Sequence, residues 1–111
     1  GLIYLSNSVS DSTLNLYNGG IYLAKDNYLD GNNVNLYGGN INMVNNTIGT
    51  MALNNLSLHG NSTLAIDADL VNGTADKILS ANPVTSSLPT NKIYIDRINM
   101  LNDATQTSTD I

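Results

Sequence analysis

Val34-Asn35-Leu36-Tyr37-Gly38-Gly39-Asn40-Ile41-Asn42-Met43 is the middle copy of a pattern written three times. The copy before it reads Leu14-Asn15-Leu16-Tyr17-Asn18-Gly19-Gly20-Ile21-Tyr22-Leu23, and a looser copy after it runs from Leu56-Ser57-Leu58-His59-Gly60 to Ile66. Equivalent positions step by 20 and then 22 residues, from Leu14 to Val34 to Leu56. Within each copy apolar residues alternate with polar ones, the period of a half-buried strand, and a Gly/Asn pair interrupts the alternation where the chain must bend. A period near 20 residues made of short strands and turns predicts an all-β chain coiled as a β-solenoid, with rungs of about 20 residues.

The alternation also assigns directions. Leu14, Val34 and Leu56 are expected to form one inward column, and Leu16, Leu36 and Leu58 a second. Gly19 and Gly39, with Gly60, mark the bend, because a left-handed backbone suits glycine. Asn15 and Tyr17 then face outward, so stacking in register sets Tyr17, Tyr37 and His59 in one exposed column, with neighbours about 4.8 Å apart. That column is the candidate contact surface, able to offer aromatic faces to a sugar ring or a partner protein. Matched positions on neighbouring strands also stack for stability alone, which is the plainer account of the same residues.

Working outward, Ile3 and Leu5 already alternate as Ile21 and Leu23 do, with no initiator Met before them, so the chain reads as a piece of a longer protein. Residues 1–74 read as regular rungs. Residues 75–111 read as one or more less regular rungs or a cap of the same continuous domain, containing the loop from Ser80 to Thr90 in which Pro83 and Pro89 cannot donate to a ladder. Leu64, Ile66, Ala68 and Leu70 are expected inward, with Asp67 and Asp69 on the solvent face. Ile93 with Ile95, and Ile98 with Met100, form two later inward pairs, and the polar tail from Asn102 reads as a connection.

Composition limits the function. Net charge is −5, with 9 acidic and only 4 basic residues, which is no basis for a nucleic-acid surface. No apolar run approaches the roughly 20 residues that span a bilayer, so no membrane insertion of this segment is expected. Cys is absent, which removes disulfides and thiolate metal sites. His59 is the only His and sits in no nucleophile motif, and Lys25, Lys77, Lys92 and Arg97 are scattered over different rungs. Polysaccharide lyase or hydrolase chemistry needs acids clustered with cations, so the enzymatic reading is the weaker one and no catalytic residue is assigned. For metals, Asp67 and Asp69 lie two apart on one face and are a candidate pair for Ca²⁺, and Asp26, Asp30 and Asn32 form a second oxygen-rich patch; neither follows a known calcium loop. No cofactor is otherwise implied.

Thr63-Leu64-Ala65-Ile66-Asp67-Ala68-Asp69-Leu70, Gly73-Thr74-Ala75-Asp76-Lys77-Ile78 and Lys92-Ile93-Tyr94-Ile95 together resemble the late passenger region of autotransporter-type bacterial surface proteins. The resemblance implies a right-handed parallel β-helix carried outside the cell, at the bacterial surface. It implies a non-enzymatic stalk or adhesin-type segment that contacts a host or cell-surface glycan or protein. The alternative, from a different class, is a filament segment that associates end to end through exposed strand edges.

Overall fold

A computed structural model describes residues 1–102, so the expected connection from Asn102 onward lies almost wholly outside the described residues. The described chain is all-β. Its strands are β1 (Leu2–Leu5), β2 (Thr13–Leu16), β3 (Gly20–Leu23), β4 (Asn33–Leu36), β5 (Asn40–Asn42), β6 (Thr50–Leu53), β7 (Asn55–Leu58), β8 (Ser62–Asp69), β9 (Thr74–Ala75), β10 (Lys77–Ser80), β11 (Thr85–Ser86) and β12 (Ile93–Met100). A 3-10 turn, Asp26–Leu29, is the one helical element among the described residues.

These strands form three sheets, in the orders β1-β3-β5-β8-β12, β2-β4-β7-β11 and β6-β10. Every neighbouring pair along those orders is parallel; only the short β9 runs antiparallel, against β8. From β5 the chain passes to the third sheet at β6, the second at β7 and back to the first at β8, and the circuit recurs through β10, β11 and β12. One circuit earlier the 3-10 turn packs beside β6, and Gly31 N–H donates to Ala52 O at 2.8 Å, so it takes the place of a strand in the third sheet. The segment after residue 74 therefore continues all three sheets.

Register follows the repeat. Leu14 pairs with Val34 and Val34 with Leu56, while Leu16, Leu36 and Leu58 are matched in the same way. Ile21, Ile41 and Leu64 form the corresponding column of the first sheet. In these columns parallel in-register pairing puts aliphatic side chains over one another. Leu16, Ile21, Leu23, Val34, Leu36, Ile41, Met43, Met51, Leu53 and Leu56 consequently belong to one apolar cluster, and Ile66, Ala68 and Ala75 form a second, smaller one, with Leu64 packed against both. Each such side chain contributes roughly 1.5–3 kcal/mol of burial, and most of it requires the neighbouring circuit to be present.

Two expectations are corrected. Asp67 and Asp69 do not face solvent: Asp67 is 0% exposed and Asp69 is buried. Both carboxylates are closed over by hydrogen-bonding neighbours on adjoining segments, which removes them from water without leaving them unpaired. The inward pairs of β12 keep their alignment, with Ile95 opposite Leu64 and Ile98 opposite Ile66, but Ile95, Ile98 and Met100 are exposed because β12 is an edge strand among the described residues. The three-residue step from Ile95 to Ile98 is the trace of a bulge between Ile95 and Arg97, which restores the parity of the strand.

Candidate functional site

The aromatic column lies on the outer face of the second sheet, one residue beyond the ends of β2, β4 and β7. Tyr37 N–H donates to Leu16 O at 2.8 Å and His59 N–H to Leu36 O at 2.7 Å, so the ladder continues under the rings and fixes their register. The Tyr17 and Tyr37 rings stack at 4.4 Å and 17°, and Tyr37 and His59 at 4.5 Å and 12°. Ser87 occupies the next ladder position, its N–H on Leu58 O at 2.9 Å, and ends the column.

The glycines behind the rings set this spacing. Gly38 and Gly39 have φ of 136° and 83°, and a Cβ there would come within 2.7 Å of Tyr17 O and Gly19 O respectively. Successive turns are therefore nested backbone on backbone, which no larger residue permits. Beside the rings, the polar columns are also self-paired. Asn35 Nδ2 donates to Asn15 Oδ1 at 2.9 Å, and the Ser57 and Thr85 hydroxyls are 2.6 Å apart.

This geometry changes what the column can offer. Tyr17 is 59% and Tyr37 36% exposed, but the faces of Tyr37 are covered by its two neighbours. A ligand meets ring edges, two phenol hydroxyls and an imidazole edge, flanked by amides and hydroxyls. The expected stacking of a sugar on aromatic faces is confined to the outer faces of Tyr17 and His59. A second tilted pair, Tyr4 and Tyr22 at 4.9 Å and 30°, lies on the first sheet and follows from the same matching of positions.

The oxygen-rich residues have other partners. Asn32 is buried and its Nδ2 donates to Val9 O, Leu29 O and Asp30 O at 2.7, 3.1 and 3.2 Å, while its Oδ1 accepts Ser12 N–H at 2.9 Å. Asp30 Oδ1 accepts Ala52 N–H at 2.8 Å. Asp69 accepts from Asn72 N–H, Asn72 Nδ2 and Asn102 Nδ2 at 3.1, 2.7 and 2.9 Å. Those bonds, the Asn72 side chain first, hold the Asp69 carboxyl below its ordinary value. With their oxygens turned to N–H donors, Asp67 and Asp69 are not arranged as a Ca²⁺ pair. Among the described residues no group of three or more His, Cys, Asp or Glu side chains could hold a metal ion.

The structure instead assembles a carboxylate cluster absent from the sequence reading. Asp26, in the 3-10 turn, Asp67, on β8, and Asp76, between β9 and β10, are 5%, 0% and 1% exposed. Asp67 Oδ1 accepts Asn99 Nδ2 at 2.8 Å and Oδ2 accepts Asn45 N–H at 2.9 Å. Asp76 Oδ1 accepts Gly49 N–H at 3.0 Å and Oδ2 accepts Asp67 N–H at 2.7 Å, while Asp76 N–H returns to Asp67 O at 2.9 Å. Asp26 Oδ1 accepts Asn45 Nδ2 at 2.7 Å, and Asp26 Oδ2 is buried with no N–H or hydroxyl donor. Burial, followed by the hydrogen bond with Asp26, pushes the Asp76 carboxyl up to about 8, against the opposing bonds from Asp67 and Gly49 N–H. A cavity of about 450 Å³, lined in part by Lys25, Asn45, Thr47 and Ile48, lies at the Asp26 side of the cluster. Asp67 and Asp76 meet across the antiparallel β8–β9 pairing, while Asp26 reaches them through stacking of successive circuits, so the three carry no common spacing motif.

No helix among the described residues is long and apolar enough to cross a membrane. No family model, curated protein or solved structure matches the chain.

Proposed function

We propose that the chain is a β-solenoid segment, a right-handed parallel β-helix, belonging to an extracellular bacterial surface protein of the autotransporter-passenger type. In this reading it is a non-enzymatic stalk whose second sheet presents the contact surface. The observation that carries the proposal is the exposed Tyr17–Tyr37–His59 column set on in-register parallel strands, beside equally regular amide and hydroxyl columns. A surface of this kind is stiff before binding, so little side-chain entropy is lost on contact. Its partner is a cell-surface glycan or protein that approaches edge-on and exchanges hydrogen bonds with the Tyr hydroxyls and flanking amides.

Phenylalanine at Tyr17 and Tyr37 keeps the stack and removes the hydroxyls. On glycan arrays and whole cells, the double variant is expected to lose binding while its melting temperature stays within about 2 °C of the parent, a shift that corresponds to well under 1 kcal/mol. Undiminished binding would remove the column from the contact surface. A second reading, end-to-end self-association, is favoured by apolar side chains exposed on both edge strands of the first sheet, Leu2, Ile3 and Tyr4 on β1 and Ile95, Ile98 and Met100 on β12. Light scattering that stays monomeric across the micromolar range would set it aside.

A further inference from the structure

The buried carboxylates take no part in the contact surface, and their geometry has its own consequence. We propose that Asp26 and Asp76 hold a single proton between them, forming a pH-sensitive clasp that ties the 3-10 turn to the chain between β9 and β10. Two features of the geometry carry this. Asp26 Oδ2 is buried and has no amide or hydroxyl donor, and Gly49 brings the two carboxyls to one place, its N–H donating to Asp76 Oδ1 at 3.0 Å while a Cβ on it would lie 2.7 Å from Asp26 Oδ2. Two ionised carboxylates have no hydrogen to share, whereas one carboxyl donating to the other carboxylate satisfies the orphaned oxygen. Asp76 has both oxygens already accepting backbone N–H groups, from Gly49 and Asp67, so the proton bridges to Asp26 rather than replacing a protein donor. Gly49 thus packs directly over the pair.

The surroundings favour one shared charge over two. From β8 the facing titratable group is Asp67, itself an acid, and from β3 it is Tyr22, whose hydroxyl is pushed up by burial, then by Tyr4, Asp67 and Asp26. The 43–49 segment contributes the uncharged Asn45 and Gly49, and β12 the uncharged Asn99. Lys25 and Lys77, the chain neighbours of Asp26 and Asp76, are exposed, and no cation contributes to the raised value of Asp76.

The sign of the pH effect follows from the raised Asp76 value, about 8 against 3.8 in the unfolded chain. Between those limits the folded state holds a proton that the unfolded state has released, so stability falls as pH rises from about 4 and levels off above about 8. Loss of the proton leaves two like charges facing in a buried site, and the clasp opens.

Asp26→Asn tests this, because its amide is a permanent donor to Asp76 in place of the proton. Carboxyl ¹³C NMR of the parent is expected to show one Asp titrating near pH 8, and Asp26→Asn to move that titration to the acid range. The parent's melting temperature is expected to fall between pH 6 and 9, that of Asp26→Asn to stay level, and the variant to be the more stable at pH 9. The clasp is refuted if no Asp carboxyl of the parent titrates above pH 6, a result that stands whether or not the variant folds. It is refuted equally if millimolar CaCl₂ restores the parent's melting temperature at pH 9, which would make the pair a cation site.

Discussion

Alanine at Gly39, compared with alanine at Gly31, isolates the nesting of successive turns. The two glycines have nearly the same backbone, φ of 83° and 77°, so each substitution carries the left-handed penalty of roughly 1–2 kcal/mol for a residue with a Cβ. They differ in the space available. A Cβ on Gly31 meets nothing within 4 Å, whereas one on Gly39 would lie 2.7 Å from Gly19 O and 3.2 Å from Leu16 Cγ. Gly19 O is also the acceptor of Asn40 N–H at 2.8 Å, so moving it away breaks a bond between the neighbouring strands β3 and β5. Adding about 1–3 kcal/mol for overpacking gives roughly 2–5 kcal/mol at Gly39 against 1–2 at Gly31. At about 4 °C or more per kcal/mol for a domain near this size, the Gly39 variant should melt on the order of 10–20 °C below the parent and the Gly31 variant about half as far. Urea denaturation followed by circular dichroism reads the same difference, with unchanged slope m if the unfolded states match. Equal losses at the two positions would refute the argument that turns of adjacent circuits touch.

Tyr37 stacks on two rings and Tyr17 on one, so Tyr37→Ala should cost about 1–3 kcal/mol and Tyr17→Ala about half of that in urea titrations. Gly49→Ala forces a methyl against Asp26 and should destabilise by about 1–3 kcal/mol; thermal melts within error of the parent would contradict the packing described over the clasp. Asp69 has a lowered value, so its contribution is present above its unfolded value near 3.8 and disappears as pH falls through the folded one. Asp69→Asn should accordingly be less stable than the parent at neutral pH, with the difference shrinking toward pH 2 in melts recorded across that range.

The legible part of this structure was periodic. Leu14, Val34 and Leu56, with Leu16, Leu36 and Leu58, announced their register because parallel stacking makes equivalent residues neighbours, and a repeat is the written form of that rule. The Tyr17, Tyr37 and His59 column followed from the same register. How the rings would meet did not, since strand alternation predicts a side of the sheet but not the tilt of a ring about its own bond. Asp67 and Asp69 were misread for a related reason. Alternation gives direction relative to the core and not burial: Asn45 and Asn72 close over them from turns whose path no local pattern encodes, and Asn99 does so from β12, where it stands opposite Asp67. The cluster of Asp26 with Asp76 is more remote still: the circuits between them have different lengths, so no fixed interval marks the meeting. What composition did signal was the means of pairing them, an abundance of Asn, whose amide both donates and accepts.

In-register parallel stacking is tested most directly by cross-linking, because the chain contains no native Cys. Asn35 lies opposite Ser57 on adjacent parallel strands, at a spacing of about 4.8 Å that suits a disulfide. Asn55 is two residues out of register with Asn35, about 8 Å away from strand geometry and beyond disulfide reach. Under mild oxidation the Asn35→Cys/Ser57→Cys protein should close an intramolecular bridge at dilute concentration, and Asn35→Cys/Asn55→Cys should not. Equal or faster closure of the second pair would contradict the in-register parallel pairing of β4 with β7.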